Sequence, residues 1–296
     1  MNLFSGLEKF GFSGNKELDI TSDEKTAKKK EKKGTVEAKT LEEKDFLLDH
    51  KCTCPICDKT FNTKQIKTGK IKRKEPDEDL RPNFDGVDTV KYDATVCPYC
   101  GYAALNKEFE HLSPTQRRLI REEVTSKYKP GEVKNEETYS YDVAIDRLRL
   151  ALICDMAKRA KLSDKAYICL KIAWLLRGQM KELPRETDED KAVLKQKKAE
   201  YDAFYKQAYE GFIQAISTEI PPFCGMQTST LEFMLANMAI YFKKYDVASK
   251  LVANLLGSPS TPSRVKDKSR DLKDKILGAL KEQKTKAASE AQTVKK

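Results

Sequence analysis

Two short cysteine pairs constrain this chain more than any other feature of its sequence. They are Cys54–Cys57 and Cys97–Cys100, each of the form C-P-x-C, and Gly101 follows the second pair. A C-x-x-C turn aims two thiolates at one point, and two such turns complete the tetrahedral coordination of a zinc ion. Coordination closed by four thiolates has no open position for water or a substrate, which favours a structural role. The sequence therefore predicts Cys54, Cys57, Cys97 and Cys100 as ligands of a structural Zn²⁺ ion.

Several details of this site stay open at the level of sequence. The 39 residues between the pairs exceed the ~15–20 of tight zinc patterns, which indicates a ribbon with an inserted loop. Iron or a redox dithiol is the alternative to zinc. Cys52, His50 and His111 are alternative donors, although a spare thiol and ordinary surface histidines are favoured. The remaining thiols are expected to be buried among helices: Cys154, Cys169 and Cys224.

Composition favours a cytoplasmic protein. The chain has 296 residues, enough for about two domains, and 34% of them are charged. No stretch approaches the ~20 apolar residues of a membrane span, and the first residues lack the pattern of a secretory signal. In the cytoplasm thiols stay reduced, so eight cysteines favour metal ligands and buried thiols over disulfides.

The net charge of +10 raises nucleic-acid binding as an alternative function. The excess lies at the C-terminal end, where residues 243–296 carry fourteen basic and six acidic groups. Arg264, Lys266, Lys268 and Arg270 are the candidate phosphate contacts. Aspartates lie between them, which favours a solvated helix with i,i+4 ion pairs over a nucleic-acid surface.

The chain divides into four predicted segments. Residues 1–45 form a flexible tether with a short apolar patch, because their lysine-rich part cannot bury enough apolar surface to order itself. Residues 46–112 form a small zinc-ribbon-like module with short strands, including one from Val90 to Val96. Residues 113–281 form a helical-repeat-like domain, and residues 282–296 form a basic tail.

The fold class is therefore mainly α with a small β-containing module. Ser113, Ser163, Thr187 and Thr228 are predicted helix N-caps ahead of apolar residues at helical spacing. The pattern indicates antiparallel helix pairs, and residues 235–256 resemble a tetratricopeptide unit. A tetratricopeptide-like array is predicted, with an irregular helical bundle as the alternative.

An aspartate-rich stretch precedes the second cysteine pair. Asp77, Asp79, Asp85, Asp88 and Asp93 could bind a cation or act in acid–base chemistry. A solvated loop whose aspartates cap turns is favoured. With two histidines in the chain, no Ser–His or Cys–His arrangement is recognisable. A metal-dependent or redox enzyme is the third functional class, and coordination by four sulfurs argues against it.

Several motifs together resemble the bacterial "domain of unknown function 2225" family. They are the first cysteine pair with Phe61, the aspartates Asp77 and Asp79, the second pair with the following Tyr102-Ala103, and the segment Ala173–Arg177. The resemblance covers about residues 50–256. It implies a metal-binding head and a tetratricopeptide-like body, and it implies no particular activity.

The favoured function is a zinc-stabilised protein-interaction protein, a scaffold or adaptor. The helical array is expected to offer a groove to a peptide or a partner helix. The candidate partner-binding residues are Trp174, Arg177, Tyr201, Tyr205 and Tyr209, with core packing the better interpretation for Trp174.

Overall fold

The computed structural model describes residues 41–130 and 136–293, with side chains described up to residue 283. Within these residues the chain forms seven helices and two small antiparallel sheets, and it is 58% helical. This confirms the predicted mainly-α fold class with a small β-containing module. Apart from residues 41–45, the predicted tether and its apolar patch lie outside the described residues.

Each cysteine pair sits in the turn of a two-stranded hairpin. Strand β1 (Leu47–Thr53) pairs with β2 (Thr60–Ile66), and the first pair occupies the turn between them. Strand β3 (Ala94–Val96) pairs with β4 (Ala103–Leu105) around the second pair. Two hairpin turns therefore present the four cysteines, as a ribbon of this kind requires.

The predicted strand from Val90 to Val96 is wrong in its first half. A 3₁₀-helix spans Thr89–Tyr92, and only Ala94–Val96 is extended. The carboxylate of Asp88 accepts a hydrogen bond of 3.2 Å from the backbone N–H of Val90, which starts the 3₁₀ turn. The apolar residues of this segment are nevertheless buried. The alternation of apolar and polar residues therefore predicts burial correctly and backbone conformation incorrectly.

The helical part begins at Ser113. A π-helical turn, Arg121–Thr125, continues the first helix, and the last helix extends past residue 281, where the sequence predicted its end. In chain order the helices are α1 (Pro114–Ile120), α2 (Tyr141–Ala157), α3 (Leu162–Glu182), α4 (Asp188–Thr218), α5 (Thr228–Tyr241), α6 (Tyr245–Gly257) and α7 (Ser263–Thr293).

Two of the four predicted caps are confirmed. Ser113 and Thr187 each accept from the third backbone N–H of their helix within a capping box. Ser163 and Thr228 instead lie inside the first turns of α3 and α5. Ser163 is not needed as a cap, because its N–H and hydroxyl both donate to the Glu219 carboxylate beyond the end of α4.

Consecutive helices pack on each other, and one core joins them to the cysteine hairpins. Contacts link α2 to α3, α3 to α4, α5 to α6 and α6 to α7, as short connections favour. One cluster of buried side chains includes Cys97 at the hairpin turn, Trp174 in α3, Phe212 in α4 and Leu272 in α7. The domain boundary at residue 113 and the tetratricopeptide repeat stay predictions.

None of the helices in the described ranges combines the length and the hydropathy that crossing a bilayer requires.

Candidate metal centre

The two hairpin turns bring the four predicted ligands together. The sulfur atoms of Cys54, Cys57, Cys97 and Cys100 all lie within 4.8 Å of one another. Cys54 Sγ lies 3.6 Å from Cys100 Sγ, and Cys57 Sγ lies 3.6 Å from Cys97 Sγ. Three of the four residues are buried and Cys57 is partly buried, so the cluster is largely shielded from solvent. In the part of the chain that the structure describes, this is the one group of side chains arranged to hold a metal ion.

The sulfur spacing fits a tetrahedral metal site. With Zn–S bonds of about 2.3 Å, the sulfurs of a regular tetrahedron are about 3.8 Å apart. A disulfide would require about 2.05 Å. The cross-turn sulfur–sulfur distance of 3.6 Å is close to the tetrahedral value and far from the disulfide value. All eight cysteines are free thiols. The donor set therefore suits a thiophilic ion such as Zn²⁺ or iron.

Local backbone hydrogen bonds shape each turn. In the first turn, the N–H of Cys54 donates to Lys59 O at 3.0 Å, and the N–H of Ile56 lies 3.4 Å from Cys54 Sγ. In the second turn, the N–H of Cys97 donates to Tyr102 O at 2.8 Å. Gly101 has φ +73°, a conformation that L side chains rarely adopt. These bonds aim the sulfurs and supply one amide donor to a thiolate.

The thiols of Cys54, Cys97 and Cys100 interact strongly because they share one buried site. Hydrogen bonds from Cys100 and Cys54 lower the pKa of the Cys97 thiol. Hydrogen bonding to Cys54 and Cys97, together with burial, raises the pKa of Cys100. A second adjacent thiolate is thus disfavoured unless positive charge is supplied, and a bound dication supplies it.

Residues of the helical part support both turns, and sequence reasoning missed their roles. The guanidinium of Arg121, in the π-helical turn, donates to Ile56 O from Nε at 3.2 Å and from a terminal nitrogen at 3.0 Å. Cys154 of α2 accepts from the N–H of Ala103 at 3.3 Å and donates to Gly101 O at 3.7 Å. Burial raises the pKa of Cys154 to about 11, which keeps it a thiol. No sequence signal marks Arg121, and Cys154 was expected only to be buried.

The alternative donors lie outside the cluster. Cys52 is buried in β1 opposite Phe61, and burial raises the pKa of its thiol. His50 lies two residues before it in the same strand, and His111 is exposed after β4. None of the three belongs to the group of side chains that could hold the ion.

A second buried polar cluster, here called the aspartate clamp, joins the loop before β3 to helix α3. The Asp79 carboxylate is 3% exposed and accepts from Trp174 Nε1 at 2.9 Å. It also accepts from both terminal nitrogens of Arg177, each at 2.9 Å. Arg177 reaches Asp77 as well, at 2.7 Å. The solvated-loop interpretation is therefore wrong for Asp79, because α3 offers a fork of donors that satisfies a buried carboxylate.

Two further aspartates of the same stretch bond to the helices. Asp88 accepts from Arg81 at 2.5 Å and from the Tyr141 hydroxyl at 3.1 Å. Asp93 accepts from Lys171 Nζ at 2.5 Å. Four of the five aspartates thus attach the cysteine hairpins to helices α2 and α3, whereas Asp85 is more than half exposed and fits the solvated-loop interpretation.

These features lie inside a region that matches a known family. The model of a family described as "Uncharacterized protein conserved in bacteria (DUF2225)" matches residues 47–276. The chain belongs to this family. The match spans both cysteine turns and the aspartate clamp, and the cysteine cluster is consistent with a zinc-ribbon-like head. Comparison with curated proteins and comparison with solved structures returned no match.

In this DUF2225 chain the candidate partner-binding residues contact other parts of the same chain. Trp174 is 2% exposed, and Arg177 is engaged in the aspartate clamp. Tyr201, Tyr205 and Tyr209 are buried on α4, where the first two rings stack with centroids 5.2 Å apart. Binding of a partner by these five residues stays a prediction.

The candidate phosphate-binding residues occupy the first two turns of α7. Lys268 lies 3.1 Å from Glu75, and Arg270 pairs with an aspartate on its own helix. Arg264 is exposed and Lys266 is partly buried. Binding of phosphate by this group also stays a prediction.

Proposed function

We propose that this chain is a zinc-stabilised protein-interaction protein of the cytoplasm, acting as a scaffold or adaptor. Cys54, Cys57, Cys97 and Cys100 would hold one structural Zn²⁺. The observation that carries the proposal is the sulfur geometry, with both cross-turn distances at 3.6 Å inside a largely buried cluster. Bound zinc would neutralise the thiolates and join two turns that lie 39 residues apart in sequence.

A structural role is supported by what surrounds the cluster. Four protein sulfurs complete a tetrahedron, and a catalytic zinc site keeps three protein ligands and one open position. The turns are also fixed from outside by Arg121 and Cys154, so the cluster forms part of the contact between hairpins and helices. Eight reduced thiols support the cytoplasm as the compartment.

Metal analysis of the purified full-length chain tests the zinc proposal. Protein purified without added metal should carry about one zinc per chain. Replacing one ligand in each turn, Cys54→Ser with Cys100→Ser, should remove the metal and destabilise the hairpins. A matched pair outside the cluster, Cys52→Ser with Cys169→Ser, should retain it. Stoichiometric iron, or a metal-free chain that resists urea equally well, would refute a structural zinc site.

The interaction role is supported by the helical body, since helices packed in sequence offer grooves between neighbours. Affinity capture tests it, with the full chain and a chain lacking residues 1–45 as baits in a bacterial lysate. A stoichiometric partner should be recovered with the full chain and lost with the Cys54→Ser/Cys100→Ser variant. Comparison of the two baits assigns the recruitment to the predicted tether or to the folded part. The absence of any stoichiometric partner would contradict the scaffold role.

A further inference from the structure

A groove with a volume of about 680 Å³ lies between residues 73–80 and the N-terminal turns of α5 and α7. Four basic side chains line it, and we call it the basic groove: Arg73, Lys74, Arg264 and Lys268. Its volume falls within the range of about 300–1,000 Å³ that is typical of ligand sites.

The basic groove carries an excess of positive charge. Glu75 is its one acidic lining residue among those described, so the lining has a net charge of +3, and an exposed ion pair with Asp85 offsets part of the charge of Lys74. Lys268 lies 3.1 Å from Glu75, but both side chains are at least one-third exposed, and such pairs contribute little. Arg73 and Arg264 are both exposed at the groove.

Two helix N-termini add to the positive electrostatic potential of the basic groove. Thr230 and Arg264 line the groove from the first turns of α5 and α7, where the helix dipole presents partial positive charge. Arginine forks bind carboxylates in a bidentate manner, and a dipole of this sign favours the same anions. The charge distribution therefore selects a negatively charged ligand.

Apolar side chains in the lining indicate a peptide as that ligand. Leu80, Phe233 and Val265 line the groove together with the basic residues. Phe233 is 7% exposed, so its ring offers no open face for stacking a base, which single-stranded nucleic acids use for affinity. The negative charge of the lining residue Glu75 also repels a continuous phosphate backbone. Carboxylates beside an aliphatic side chain match both parts of the surface.

We propose that the basic groove binds an acidic peptide segment of a partner protein. Arg73 and Arg264 pair with its carboxylates, and one apolar side chain of the peptide contacts Leu80 and Val265. This inference rests on the proposed interaction function and names the chemistry of the partner. It differs from the sequence prediction, because Arg264 and Lys268 join residues nearly 200 positions earlier in the chain instead of their neighbours on α7.

The probe is a dye-labelled ten-residue peptide of glutamates around a central leucine–phenylalanine pair, titrated with the full chain by fluorescence anisotropy. The variant Arg73→Glu/Arg264→Glu should weaken binding at least about tenfold. The control Lys250→Glu/Lys273→Glu changes the net charge equally at two exposed positions outside the groove, and it should weaken binding less than about threefold. Far-UV circular dichroism and zinc content should match the wild type in both variants.

Matched ligands complete the test. Replacing the leucine–phenylalanine pair by serines should weaken binding, and replacing the glutamates by lysines should abolish it. The proposal is overturned if the acidic peptide does not bind, or if both variants lose affinity for it equally. It is also overturned if a twenty-nucleotide single strand binds more tightly than the peptide and loses affinity in the groove variant. If the peptide does not bind while capture of a partner still requires the metal site, the assignment of the groove is wrong and the interaction function is retained.

Discussion

Replacing Asp79 by alanine should destabilise the chain strongly, because this carboxylate accepts at least three hydrogen bonds and has almost no contact with water. It accepts from Trp174 Nε1 and from two nitrogens of Arg177, all at 2.9 Å. Asp79→Ala leaves the buried indole N–H without its acceptor, at a cost of about 1–3 kcal/mol. It also breaks a buried ion pair, for which losses of about 3–5 kcal/mol are typical.

The expected total lies below the sum of these two typical costs, because the ion pair is lost only in part. Arg177 is 25% exposed and keeps its contact to Asp77, which is 27% exposed, so its charge is not left fully uncompensated. We therefore expect a loss of about 3 kcal/mol in the free energy of unfolding. With a urea m-value of about 3 kcal/mol/M for a chain of this size, the midpoint should fall by about 1 M.

Urea unfolding, followed by Trp174 fluorescence and far-UV circular dichroism, measures this change. Asp85→Ala is the matched control, because Asp85 lies in the same stretch and pairs with Lys74 where both side chains are more than half exposed. It should cost at most about 1 kcal/mol. If the two substitutions cost the same within about 0.5 kcal/mol, the aspartate clamp does not stabilise the fold as described here.

Three further predictions concern the metal centre and the helices. Gly101→Ala should cost about 3 kcal/mol in urea unfolding, because φ is +73° and an added Cβ would lie 2.4 Å from the Tyr128 ring; a loss under about 1 kcal/mol would contradict this. Arg121→Met removes both donors to the first turn, so zinc transfer to a chelator should accelerate, and an unchanged rate would argue against that support. The hydrogen bond from Gln179 lowers the pKa of Asp142 in the folded chain. Asp142 therefore stabilises the fold above the pKa of an aspartate in the unfolded chain, about 3.9, and this stabilisation is lost as pH falls through the lowered pKa. Asp142→Asn should accordingly lose stability less steeply below about pH 4 in acid titrations of unfolding, and parallel curves would refute this assignment.

The cysteine cluster was predictable from sequence because its chemistry is local. Each C-x-x-C turn is closed by hydrogen bonds between residues a few positions apart, such as Gly101 N–H to Cys97 O at 3.1 Å. The caps at Ser113 and Thr187 were predictable for the same reason, since a capping box is complete within four residues.

Prediction failed where several conformations satisfy the same pattern. Val90 to Val96 alternates as a strand does, yet the Asp88 carboxylate starts a 3₁₀ turn there and burial is achieved without a longer strand. Ser163 has the chemistry of a cap, but a carboxylate beyond the end of α4 accepts its hydrogen bonds instead. In both cases the competing partner decides between conformations that local propensity leaves close in energy.

The sequence by itself determined the donors, the two turns that present them, and the helices that follow. Only the tertiary structure decided which charges are buried. The sequence favours a solvated loop at Asp79 and partner binding at Arg177, but the two form a largely buried pair because folding brings the loop against α3. Arg264 likewise belongs to a groove with Arg73 only in the folded chain. A local pattern records the bonds that a residue makes with its neighbours in sequence, whereas desolvation and charge pairing depend on residues that only folding brings within reach.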